Sequence, residues 1–418
     1  MKHHQSPHLL YADEEGQVYE HPDLLMVVRR GRDWALPRKD ELIPLPPEST
    51  LFFLPARRAI GFDPRSGKMV TTPYRAVAAF VCPGYTVSAL CAYFTEENAP
   101  ALPLFAYGAA GFMKGRLWVC AREVDKDQRQ VFRNISNKKI KRGVERLLRL
   151  YPNNRLISHL AKCALTYCCP AARNLALGRY EAPIPTSRHC NARCVGCISL
   201  QPKDSGFPST QDRISFTPSP REIVQLMGEH ARQEGRPIFS FGQGCEGEPL
   251  LEYRTIGEAI HLYRKGGGRG TININTNGSI SSAVEYLHLC GLSSLRISIN
   301  SANPALYKAY YRPQGYEFSQ VKETMRLAKS TGLFVSINLL FFPGITDTES
   351  EFEYLCGLIE ETHLDLIQLR NLNIDPEVYL KIASPLVNSP SMGLYNFLRR
   401  LKKNFPWLSF GYFNPYLG

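Results

Sequence analysis

The chain has 418 residues, 44% of them hydrophobic and 21% charged, which supplies a sizeable core and excludes a disordered, collagenous or coiled-coil protein. Fifty Lys and Arg against 38 Asp and Glu give a net charge of +12, which favours acidic partners such as nucleic acid, anionic lipid or phosphorylated substrates and says nothing about fold. Twelve cysteines in a chain of this length exclude a mini-protein stapled by disulfides.

Short apolar runs at 25–28, 49–54, 77–82, 86–91 and 117–121, broken by Pro, Gly and charge, predict a β-rich domain over residues 1–133. The opening residues, Met1-Lys2-His3-His4-Gln5-Ser6-Pro7, hold no apolar run of the secretory kind. The longest apolar stretch, 76–94, is interrupted by Pro83-Gly84 and reads as two buried strands joined by a turn, not as a membrane span. The cytoplasm is therefore the expected compartment, with no membrane partner and with the cysteines reduced.

Residues 134–180 turn helical and form a predicted connector. Its first helix, 137–151, is basic through Lys138, Lys139, Lys141, Arg142, Arg146 and Arg149. Its second, 155–167, places Ile157, Leu160, Ala164 and Tyr167 on one face. Cys163 shares that face, so Cys163, Cys168 and Cys169 are expected in the core, with a second metal cluster as the alternative.

From 181 to 374 strands and helices alternate: strands at 182–185, 237–241, 271–275, 295–300, 334–339 and 366–369, helices near 220–232, 255–264, 282–289, 318–330 and 347–361. Alternation of this kind implies parallel strands with right-handed crossovers, here an α/β fold with an open, partial (β/α)6 barrel whose ligands sit at the carboxyl ends of the strands. Residues 375–418 are expected to form a C-terminal cap, its aromatic tail (Trp407, Phe410, Tyr412, Phe413) closing the open side of the barrel. Gly266-Gly267-Gly268-Arg269-Gly270 follows a helix and precedes a strand, the reverse of a phosphate loop, and reads as a turn.

Directly after the first barrel strand comes His189-Cys190-Asn191-Ala192-Arg193-Cys194-Val195-Gly196-Cys197. Three thiols at this spacing converge from one loop onto a metal; soft thiolates select zinc, copper(I) or iron–sulfur, and three ligands leave one coordination site open. His189 is expected to point away.

Cys-x3-Cys-x2-Cys at this place in a βα repeat resembles the radical S-adenosylmethionine (SAM) superfamily. The resemblance spans about 183–373 and includes four further strand ends. Gly244-Cys245-Glu246-Gly247-Glu248-Pro249 is similar to the family's Gly-Gly-Glu-Pro, and Asn275-Thr276-Asn277-Gly278 to its Thr-Asn-Gly. Leu295-Arg296-Ile297-Ser298-Ile299-Asn300 is similar to Arg-Val-Ser-Leu-Asp, and Pro343-Gly344-Ile345-Thr346-Asp347 to Pro-Gly-x-x-Asp. The resemblance implies that Cys190, Cys194 and Cys197 bind a [4Fe-4S] cluster. It also implies that SAM, held at the open iron, is cleaved by one electron to methionine and a 5′-deoxyadenosyl radical that removes hydrogen from a substrate. An electron donor such as flavodoxin or ferredoxin follows as a partner.

For SAM contacts the resemblance points to Gly247 and Glu248, with Glu246 as a second acid for the ammonium, and to Ser298 and Asn300 for the ribose or carboxylate. Two positions depart from the family. Gly196 stands where an aromatic residue is common, with Ile198 the substitute cover for the base, and Glu246 replaces the first glycine of the turn. The substrate stays open among RNA, peptide and small metabolite, and no general base or radical quencher is named. The competing reading is an RNA-binding protein with a structural or redox-sensing cluster, drawn from the basic helix and Arg399, Arg400, Lys402 and Lys403.

Overall fold

A computed structural model describes residues 6–418; residues 1–5, and with them most of the opening segment read above, lie outside the described part. The first 123 residues carry twelve strands: β1 (His8–Ala12), β2 (Val18–Met26), β3 (Val28–Arg30), β4 (Asp33–Ala35), β5 (Leu42–Pro44), β6 (Thr50–Asp63), β7 (Lys68–Phe80), β8 (Tyr85–Val87), β9 (Leu90–Cys91), β10 (Tyr93–Thr95), β11 (Gly108–Met113) and β12 (Arg116–Glu123). All their pairings are antiparallel. β6 and β7 form a hairpin far longer than the apolar run at 49–54 suggests. Pro55 and Ala56 break that run, yet the pairing absorbs them as a register shift between Phe53 and Arg58 and continues. At the hairpin tip Asp63 accepts from the Arg65 and Gly67 N–H groups.

Three helices follow: α1 (Asn137–Leu150), α2 (Arg155–Leu165) and α3 (Pro170–Ala176). α1 buries Ile140, Val144 and Leu147 and exposes Lys138, Lys139, Lys141 and Arg142, while Arg146 pairs with Glu229. Its basic residues are thus mostly the solvated side of an amphipathic helix.

Seven parallel strands then pair in chain order: β13 (Glu181–Ile184), β14 (Ile238–Phe241), β15 (Thr271–Thr276), β16 (Ser294–Ile299), β17 (Phe334–Phe341), β18 (Leu366–Asn371) and β19 (Ser409–Gly411). The crossovers carry α4 (Pro220–Gln233), α5 (Tyr253–Lys265), α6 (Ser281–Cys290), α7 (Pro304–Tyr311), α8 (Phe318–Ser330), α9 (Glu349–Thr362), α10 (Pro376–Ala383) and α11 (Leu394–Asn404). The fold is the expected partial α/β barrel, extended by the short seventh strand β19. That strand has three residues and no periodicity of its own, so it takes its conformation from the edge of β18. The tail beyond it spans the gap between the first strand and β18. Asn414 donates to Glu181 at 2.8 Å and to Ser240 at 3.1 Å, and accepts from Gln368 on β18 at 2.9 Å.

The N-terminal sheet sits on the carboxyl ends of β17 and β18. Gly31 N–H donates to Pro343 O at 2.9 Å, Val87 N–H to Asn371 Oδ1 at 2.8 Å, and Leu102 N–H to Asp375 Oδ2 at 2.7 Å. The Pro-Gly-x-x-Asp turn is spent on this junction: Asp347 is fully buried and accepts from Gly344 N–H and Ser391 Oγ. One apolar core runs through the N-terminal strands, the three connecting helices and the barrel. No helix among the described residues is long and apolar enough to cross a membrane.

The connector is tied to the barrel by Glu222 of α4. Its carboxylate caps its own helix through Ser219 and takes Nε and Nη2 of Arg155 at 3.0 and 2.8 Å. Arg155, more than any other neighbour, holds the carboxyl at about 2, below its ordinary 4.5. A depressed folded-state value means the stabilisation is complete above the unfolded value and is lost as pH falls through the folded one. Glu222→Gln is expected to cost about 2 kcal/mol at pH 7, with the gap to the parent closing between pH 4.5 and 2. Urea unfolding at pH 7 and pH 3 measures it, and a gap independent of pH would contradict the assignment.

Candidate functional site

The carboxyl ends of β13–β17 open into a cavity of about 430 Å³, lined by all three cysteines of the loop after β13 and by the turn after β14. Cys190, Cys194 and Cys197 are each half-buried. The loop is held from outside by the end of α7: Val195 N–H donates to Tyr310 O at 3.0 Å, and Arg193 N–H to Tyr311 O at 3.1 Å. Burial, and after it the charges of Cys190 and Cys197, push the Cys194 thiol well up; Cys190 rises to about 11, from burial and then from Glu248. Three soft sulfurs facing one space and repelling one another as thiolates are a donor set that a cationic iron–sulfur cluster satisfies. Arg213 adds a donor, its Nη2 lying 3.4 Å from Cys197 Sγ.

The turn after β14 is stapled to the strands on both sides by its two acids. Glu246 accepts from Thr186 N, Thr186 Oγ1 and Ser187 N at the end of β13, and from Gln243 N within the turn. Four donors fill a carboxylate's capacity, so Glu246 keeps nothing for a ligand. Glu248 accepts from Leu250 N, Thr276 Oγ1 and Asn277 N, the latter two at the end of β15, which leaves it one acceptor position in the cavity wall. Burial lifts both carboxyls to about 7 against the pull of these donors. Asn277 also donates to Asn191, joining the β15 end to the cysteine loop. The glycines are dictated by closeness: a Cβ at Gly247 would overlap the His189 carbonyl oxygen, and one at Gly242 (φ +75°) the Asn275 carbonyl.

Ser298 also lines the cavity, its Oγ accepting from Asn338 Nδ2 at 3.4 Å. Asn300 does not. It lies past the end of β16, is buried, donates to Tyr379 Oη at 3.2 Å and to Leu306 O, and does not line the cavity, so the expected pairing of Ser298 with Asn300 on one ligand is corrected. The alternation argument fails there because the strand stops at Ile299. His189 is exposed, as expected.

The gap at Gly196 is filled from another element. A Cβ there would come within 2.6 Å of the Tyr310 hydroxyl, so the buried tyrosine occupies the space beside the third cysteine. Ile198 lines the cavity as well. Tyr310, Tyr311, Arg213, Asn338 and Arg370 also line it and were not singled out from the sequence. Only the aromatic spacing Tyr307-x-x-Tyr310-Tyr311 offered a signal; Arg213 sits in an irregular loop with no pattern to mark it.

Three of the cavity's lining residues carry a buried polar atom without a partner: Asn338 Oδ1, Arg296 Nε and Arg370 Nε. Arg296 donates to Gln368 from Nη1 and is pushed down to about 9, by burial first and by the charge of Arg370 second. The Glu181 carboxylate in the same wall pulls Arg296 back the other way, and the Arg370 guanidinium stacks on Tyr412 at 3.9 Å.

Residues 184–355 match the family model described as the Radical SAM superfamily. The chain is 29% identical over 181 residues to a GTP 3′,8-cyclase of Petrotoga mobilis, covering 43% of this chain and 52% of that protein. It is 27% identical over 200 residues to the mitochondrial GTP 3′,8-cyclase of Arabidopsis thaliana, covering 46% and 45%. The chain thus spans about half the length of these curated relatives. A radical SAM methyltransferase from Sphaerobacter thermophilus aligns over 56% of this chain and 67% of its own, at 15% identity and a TM-score of 0.40.

Proposed function

We propose, on the premise that this chain carries a radical SAM domain, that it is an enzyme starting hydrogen abstraction from an anionic substrate held by Arg296 and Arg370. Cys190, Cys194 and Cys197 would hold the [4Fe-4S] cluster, with the electron coming from an external donor. When bound, the cluster and SAM supply one-electron cleavage of a sulfonium carbon–sulfur bond and hydrogen abstraction. The chain's own residues do the rest. Glu248, with one acceptor position spare, takes the SAM ammonium, and Gly247 lets the backbone approach it closely. Ser298 and the unpartnered Asn338 Oδ1 offer a donor and an acceptor to the ribose or carboxylate. Tyr310 and Ile198 give the base an apolar wall, and the N-terminal sheet across β17 and β18 helps to keep water out.

The arginine pair carries the substrate reading. Two guanidinium groups with unpartnered Nε atoms, in the wall of the cavity that also holds the three thiols, fit a phosphate or carboxylate. The relatives whose names give a substrate act on GTP, a polyphosphate, which makes GTP the first compound to test. Anaerobic reconstitution is expected to give about four irons per chain and, with dithionite, 5′-deoxyadenosine from SAM. In calorimetry of the loaded protein, Arg370→Met is expected to weaken GTP binding by at least about tenfold, a loss of about 1.4 kcal/mol, while 5′-deoxyadenosine formation without substrate persists. Binding of GTP indifferent to Arg370→Met would overturn the assignment of the pair.

A further inference from the structure

The turn that faces the cavity with Glu246 and Glu248 has a second side. Cys245, between Gly244 and Glu246, is 4% exposed and does not line the cavity. It meets α2, where Cys163 is 1% exposed and His159 stands four residues earlier on the same helix face. One ligand atom from each of His159, Cys163 and Cys245 lies within 4.8 Å of the other two. Cys163 Sγ and His159 Nε2 are 3.5 Å apart. Tetrahedral zinc with its usual Zn–S and Zn–N lengths sets an S···N edge of about 3.6 Å, so this pair is already at ligand spacing.

We infer that His159, Cys163 and Cys245 form a second metal site, independent of the three-cysteine loop, for a single thiophilic divalent cation such as zinc. A Cys2His set with an open fourth position is an established coordination pattern for that ion. His159 is half-buried and lines a separate cavity of about 820 Å³ with Lys162, Tyr167 and Asp212, which supplies the route of entry and the open position. The ligands are also prepared for it. The Cys245 and Cys163 sulfurs face each other with the His159 ring beside them, and a thiol that still carries its proton releases it when the cation binds. Bound there, the metal links α2 to the turn that carries Glu248.

The test separates this site from the first. Full-length protein with Cys190, Cys194 and Cys197 all changed to Ala, loaded with Zn²⁺ and gel-filtered, is expected to retain about one zinc per chain by mass spectrometry. Loading with Co²⁺ is expected to give thiolate-to-metal charge-transfer absorption. Adding Cys163→Ser is expected to abolish both signals; adding His159→Ala, at a partly exposed position that the fold tolerates, is expected to weaken zinc retention at least about tenfold. Cys168→Ser, at an exposed cysteine outside the group, is expected to change neither. Absence of stoichiometric zinc and of the cobalt band in the triple variant, or their survival in both the Cys163→Ser and His159→Ala proteins, would overturn the inference.

Discussion

Cys194→Ala protein, reconstituted without oxygen, is expected to lose the iron and sulfide of the wild type and to form no 5′-deoxyadenosine above background. Cys194 is the middle thiol of the loop, between Cys190 and Cys197, so its removal leaves two sulfurs for a cluster that needs three. The loop itself should survive. Its backbone is held by Tyr310 O, Tyr311 O and the bridge of Ala192 with Pro313, none of which involves a cysteine side chain. Circular dichroism and the melting temperature of the metal-free protein are therefore expected to match the parent within about 2 °C, since a half-buried Cys→Ala change leaves little cavity. A variant that kept its cluster and SAM cleavage would remove the basis of the proposed function.

The largest effect on stability is expected at Asp375. Its carboxylate is 2% exposed, accepts from Leu102 N at 2.7 Å and Glu377 N at 2.8 Å, and faces Arg57, whose side chain is equally buried, at 3.4 Å. Arg57 comes from β6 and Asp375 from the segment after β18, so the pair locks the N-terminal sheet to the barrel. Asp375→Ala strips the carboxylate from a buried guanidinium whose remaining bonds among the described residues go to the carbonyls of Pro55 and Pro100. An uncompensated buried charge costs about 3–5 kcal/mol, which lowers Tm by roughly 6–15 °C. Arg57→Met combined with Asp375→Ala is expected to recover much of the loss, because the stranded charge goes with it. Calorimetry on the three variants decides it; an Asp375→Ala protein that melted with the wild type would show that the junction does not rest on this pair.

The sequence by itself determined whatever depends on residues close along the chain. The spacing of Cys190, Cys194 and Cys197 places three thiols in one loop, and the alternation of apolar runs with 3.6-residue periodicity sets the parallel barrel and its helices. The motifs at the strand ends fell at one edge because parallel strands all end on the same side of the sheet. Tertiary structure decided what a local pattern cannot encode, namely which donors reach a given side chain. Glu246 and Glu248 are both candidate acids for one ammonium in the sequence, and only the approach of Thr186, Ser187, Thr276 and Asn277 from β13 and β15 distinguishes a filled carboxylate from one with room. Asn300 shares an alternation face with Ser298 on paper, but its strand ends one residue too early. The space beside Gly196 is taken by a tyrosine more than a hundred residues away, and Cys163 meets Cys245 across eighty residues that no spacing rule connects. Contacts of that kind form when the apolar faces of α2, α7 and the barrel are buried together, and the hydrophobic effect that drives the burial is non-directional: it brings elements together without naming the polar partners they will share.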